Sequence, residues 1–107
     1  MICFAAALLC DPPPPDSATV QAASRKWYAC AGDASVELES SARNIDELVA
    51  AALVRCAARE AEVRAALTRE WPAEVVTWRV TQSRREIRDL IGEGHALRVR
   101  TARGSPK

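Results

Sequence analysis

Two apolar stripes at helical spacing, each carrying one cysteine, constrain this chain more than any other feature. Val20, Ala23, Trp27, Cys30, Ala34 and Leu38 recur at steps of three and four. Ile45, Val49, Ala52 and Cys56 do the same, and Val63 and Leu67 continue the stripe after a polar interruption at Arg59-Glu60. Such steps place each set on one face of an α-helix. Between the stripes, Ser40-Ser41-Ala42-Arg43-Asn44 has no periodicity and reads as a turn. Asp16 or Ser17 can cap the first helix and Asn44 the second, whose first turn holds Asp46 and Glu47, where the helix dipole favours acids. Glycine in a helix interior costs about 1 kcal/mol relative to alanine, so Gly32-Asp33 is the place where the first helix would break.

The cysteines sharpen this reading. Cys30 lies 11 residues before Ser41, and Cys56 lies 12 residues after Asn44. At about 1.5 Å per residue both stand roughly 16–18 Å from the turn, at one height on facing helices. The spacing therefore predicts a Cys30–Cys56 disulfide; the alternative is two buried thiols acting as small hydrophobes.

Beyond Trp71-Pro72 the pattern supports two readings. Residues 75–81 and 97–101 alternate polar and apolar like strands, and Ser83-Arg84-Arg85-Glu86 could open a short helix between them. Val76, Val80, Ser83, Ile87 and Leu90 instead form a helical stripe, with Pro72 and Glu74 at its start. Two strands joined by one helix would be an isolated parallel pair without the burial such sheets need, so the helix is preferred. The expected fold is all-α: a disulfide-linked antiparallel helical hairpin, near 17–39 and 45–69, plus a third helix near 72–91 stopped by Gly92. Residues 93–107 are then expected as a flexible basic tail, with the helical domain at 19–92.

Residues 1–18 are expected to be a signal peptide and proline-rich spacer. Ile2–Cys10 is an apolar run of signal-peptide length and too short to span a bilayer, which takes about 20 residues. Pro12–Pro15 cannot continue a helix and favour extended geometry. Against export, no Lys or Arg precedes the run and Asp16-Ser17-Ala18 is a mediocre cleavage site. A retained, cytoplasmic N-terminus is the alternative.

Trp27-Tyr28-Ala29-Cys30, followed by Ile45-Asp46-Glu47-Leu48-Val49-Ala50-Ala51-Ala52-Leu53-Val54-Arg55-Cys56, resembles small exported two-cysteine helical proteins of proteobacteria. In these, an aromatic-x-Cys on one helix precedes an alanine-rich helix ending in a second cysteine. The resemblance covers about residues 20–70 and implies the hairpin, the disulfide and export to the periplasm. It carries no catalytic residue across.

Chemistry is harder to find. With 107 residues the chain allows one domain, and a net charge of +1 excludes whole-molecule attraction to nucleic acid or acidic membranes. The single histidine, His95, excludes a two-histidine zinc site, and no Walker loop or GxSxG elbow occurs. Gly92-Glu93-Gly94-His95-Ala96-Leu97 lacks the third glycine of a dinucleotide fingerprint. Glu60, Glu62 and Glu70, interleaved with Arg59, Arg64 and Arg69, read as a solvated helix face. No catalytic residue, metal site or cofactor is expected.

The charge is unevenly placed, however. Residues 1–78 carry 7 basic and 11 acidic groups, whereas residues 79–107 carry 8 basic and 3 acidic. This split fits either a basic contact surface or two parts of one fold attracting each other. The first expectation for function is a small exported protein acting by protein contact or as a structural element, anchored by Trp27, Tyr28, Trp71 and Trp78. The second is a cytoplasmic nucleic-acid-binding accessory protein that contacts phosphates through Arg84, Arg85, Arg88, Arg98, Arg100 and Arg103.

Overall fold

The computed structural model describes residues 16–104, which contain four α-helices and no strand. The expected leader and spacer through Pro15, including Cys3 and Cys10, and the last three residues lie outside the described residues. Helix α1 spans Ala18–Leu38, capped by Ser17, whose hydroxyl accepts from the Val20 amide. It runs through Gly32 without a break and ends in a single 3-10 turn, Glu39–Ser41. Helix α2, Ile45–Arg55, is capped by Asn44, whose Oδ1 accepts from the Glu47 amide at 2.9 Å. Glu47 reaches back to the Arg43 amide and guanidinium, so both sides of the entry are closed.

The expected second helix is in fact two. Cys56 leaves helical geometry at φ −101° and ψ 20°, and α3 starts afresh at Ala57 and runs to Thr68. No glycine or proline lies between Ile45 and Thr68, so no local signal marks the break. It falls on the residue covalently tied to α1: Cys30 and Cys56 form a disulfide with their Cα atoms 5.9 Å apart. Ser17 bonds Glu70 beyond the end of α3, and Arg55 at the end of α2 bonds Glu37 near the end of α1. The α2–α3 arm therefore runs opposite to α1.

Helix α4 spans Ala73–Gly104, 32 residues and about 48 Å long. This corrects the expected stop at Gly92 and the flexible tail from residue 93. Neither Gly92 nor Gly94 has the positive φ of a helix C-cap. The helix continues because its later turns have anchors that a frayed tail would lack. Ile91 is buried, and His95 and Arg98 hold Glu39 on the turn after α1. Residues 75–81 and 97–101, the strand alternative, both lie within this helix, where Val76 and Val80 are buried one turn apart.

The core lies where α1, the α2–α3 arm and α4 meet. Trp27 is its one large aromatic, fully buried with Val20 and Ala31 of α1 among Leu48, Ala52, Val63, Leu67, Val80 and Ile87. The sequence stripes supply most of these residues. On α4 the stripe passes through Ile91 rather than Leu90, which is 55% exposed.

The helical glycines give a direct check on α4. A Cβ at Gly92 would meet nothing within 4 Å, so Gly92→Ala is expected to stabilise by about 0.5–1 kcal/mol in urea unfolding. A C-cap at Gly92 would give the opposite sign. Gly94 differs, because a Cβ there would sit 3.2 Å from the Arg98 guanidinium. Gly94→Ala should therefore gain less than Gly92→Ala, or lose.

Candidate functional site

The most organised feature of the molecule is a row of charged contacts along α4, each to a different partner element. Arg79 pairs with Asp16 at the entry to α1, Arg84 with Glu60 on α3, Arg88 with Asp46 on α2, and Arg98 with Glu39 on the 3-10 turn. Because Arg79 meets the start of α1 and Arg98 its end, α4 runs parallel to α1 and antiparallel to the arm. The uneven charge of the sequence is thus largely internal: basic α4 lies on acidic neighbours.

Glu60 is the centre of the row. It is 8% exposed, and Arg84 grips both of its oxygens, Nε to Oε1 at 3.0 Å and Nη2 to Oε2 at 2.8 Å. Arg64, one turn along α3, adds a third bond at 3.3 Å. Burial pushes the Glu60 carboxyl up, but the two guanidinium groups together outweigh it and hold the group below the usual carboxylate range. The bond to Glu60 in turn raises Arg84. Glu60 is therefore not on the solvated face expected of it; charge alternation along α3 does not show that α4 brings a second arginine. Glu62, paired with Arg59 at 3.0 Å, does lie on an exposed face.

At the far end of the row, Arg98 donates from Nε and Nη2 to one oxygen of Glu39, and His95 Nδ1 lies 3.1 Å from the same atom. The hydrogen bonds from Arg98 first, then His95, hold the Glu39 carboxyl below its ordinary range. A lowered folded-state pKa means stabilisation that is complete above the ordinary glutamate range and is lost as pH falls through the lowered value. Acidification through that window is expected to release residues 93–104 before the rest of α4. Hydrogen exchange read peptide by peptide should show it, and Glu39→Gln should reproduce it at neutral pH. Unchanged protection of 93–104 in Glu39→Gln would show that the latch holds nothing.

The sequence-derived site residues separate accordingly. Arg84, Arg88 and Arg98 are engaged with carboxylates. Arg85, Arg100 and Arg103 are exposed and make no ion pair among the described residues. At 100° per residue these three share one stripe of α4 with Trp78, facing away from the core. Asp89 and Glu93 share that stripe, so it is mixed in charge.

Trp78 is 60% exposed, whereas Trp27 is fully buried and belongs to the core rather than to a contact surface. Tyr28 and Trp71 are half-buried, packed against the core. Burial pushes the Tyr28 phenol up. That Asp16, Glu39, Asp46 and Glu60 pair with α4 escaped sequence reasoning, although the opposite charges of the two parts of the chain were the signal for it.

Among the described residues no group of three His, Cys, Asp or Glu could hold a metal. His95 faces Glu39, and both described cysteines are bonded to each other, so neither is a free nucleophile. A shallow groove of about 560 Å³ between α1 and α3 is floored by Ala18, Ala22 and Ala65. Comparison with known proteins gives no match: no family model, no curated protein and no solved structure.

Proposed function

We propose that this is a small exported, periplasmic helical protein with a non-catalytic role, acting by protein contact or as a structural element. The observation that carries this reading is the Cys30–Cys56 disulfide, since such bonds persist in oxidising compartments and are rare in the cytosol. No helix of the described residues is long and apolar enough to cross a membrane, which fits a protein released after export. The surface for contact is the outward stripe of α4, with Trp78 as its aromatic anchor.

Intact mass of the natively expressed protein, with cell fractionation, tests the proposal. The expected result is a periplasmic chain cleaved between Leu9 and Ala18 and two daltons lighter than the reduced form. A cytosolic, reduced chain still beginning at Met1 would overturn it. The nucleic-acid reading has the weaker support, because the ion pairs of Arg84, Arg88 and Arg98 leave three of the six arginines for phosphate. Tight binding to a duplex that weakens steeply with salt would reverse that order.

A further inference from the structure

We propose that the disulfide is also a directional site of thiol exchange, at which a small thiolate attacks Cys30 Sγ and Cys56 leaves. The two cysteines are not equivalent. Cys56 is 1% exposed, enclosed at the joint between α2 and α3. Cys30 is only half-buried and lines an open groove of about 410 Å³ with Lys26, Asp33, Glu37, Arg55 and Arg59. Exchange requires access to the sulfur under attack, and the groove gives it to Cys30.

The groove is mixed in charge, and its charges bear on how fast a thiolate approaches rather than on the direction of exchange. Arg55 is held by Glu37 at 2.7 Å and Arg59 by Glu62 at 3.0 Å. Lys26, one turn before Cys30, has no carboxylate partner among the described residues, and Asp33, three residues after Cys30, has no cation partner among them. A cation beside a reacting sulfur draws in a thiolate. On the leaving side, Cys56 directly precedes α3, whose N-terminus has no side-chain cap. The dipole of α3 offsets part of the desolvation that burial imposes on a Cys56 thiolate, so the direction of exchange is set by access at Cys30.

The step balances with the thiol as the one co-reactant. A new sulfur–sulfur bond forms between the incoming thiolate and Cys30 Sγ. The Cys30–Cys56 bond breaks, and its electron pair leaves on Cys56 as a thiolate. A groove of this size suits a thiol of the dimensions of glutathione.

Glutathione is therefore the probe. The folded, oxidised protein is incubated with it while iodoacetamide caps each thiolate as it is released, and peptide mapping reads Cys30 and Cys56 separately. The expected product carries glutathione on Cys30 and the cap on Cys56, in roughly tenfold excess over the reverse product. In strong urea the two products should become about equal, because access no longer differs. Lys26→Glu should slow the reaction of the folded protein several-fold without changing the rate in urea. Equal labelling of the folded protein, or reaction no faster than global unfolding, would overturn the proposal.

Discussion

Breaking the Cys30–Cys56 disulfide is expected to lower stability by about 3.5 kcal/mol on the loop-entropy model. The two cysteines are 26 residues apart, a loop long enough for the constraint on the unfolded chain to be large. For a domain of this size that corresponds to a fall of about 15–25 °C in melting temperature. Thermal unfolding followed by circular dichroism, with and without a reductant, measures it. The double variant Cys30→Ala/Cys56→Ala should behave like the reduced protein, since only Cys56 is fully buried and alanine removes little volume there. A shift below about 5 °C in both experiments would mean that packing alone fixes α1 against the joint of the arm.

Trp27→Ala is expected to be comparably severe, at about 3–5 kcal/mol. Trp27 has no solvent exposure and is the only fully buried aromatic among the described residues, and the alanines and aliphatic side chains around it are too small to fill the cavity it would leave. Its indole Nε1 is buried without a hydrogen-bond partner among the described residues. An orphaned buried donor costs about 1–3 kcal/mol, so Trp27→Phe should recover most of the loss by removing the N–H with only part of the ring. Denaturant unfolding of the two variants separates volume from polarity. A Trp27→Phe variant as unstable as Trp27→Ala would show that the full indole shape, not the apolar volume, is what the core requires.

The charged row limits what single surface mutations can be taken to mean. Arg84→Ala would remove both bonds from Arg84 to a Glu60 that is nearly buried, leaving Arg64 at 3.3 Å as its remaining partner. Breaking one side of a buried pair costs far more than an exposed pair contributes. Loss of binding in such a variant would therefore report a loosened α4. Arg85, Arg100 and Arg103 are the arginines whose replacement tests the outer surface, because none of them pairs within the described fold.

The sequence by itself determined the all-helical class and the pairing of the two cysteines. Periodicity is a local property, so the buried faces of α1 and α2 were legible as steps of three and four; Asn44 was legible as the cap of α2, while the cap of α1 was narrowed to Asp16 or Ser17, of which the fold uses Ser17. Equal distances from one turn brought Cys30 and Cys56 to the same height, because helical rise is constant. What only the tertiary structure decided depends on neighbours distant in the chain. The break at Cys56 has no glycine or proline to announce it and coincides with the covalent tie to α1. The continuation of α4 through Gly92 overrides a local stop signal, because Ile91 is buried and Arg98 and His95 reach a glutamate more than fifty residues away. The pairing of Arg84 with Glu60 turned an apparent solvated charge into a buried one. Charges act across space irrespective of sequence order, so the sequence could show that α4 was basic but not that its partners lay within the same fold.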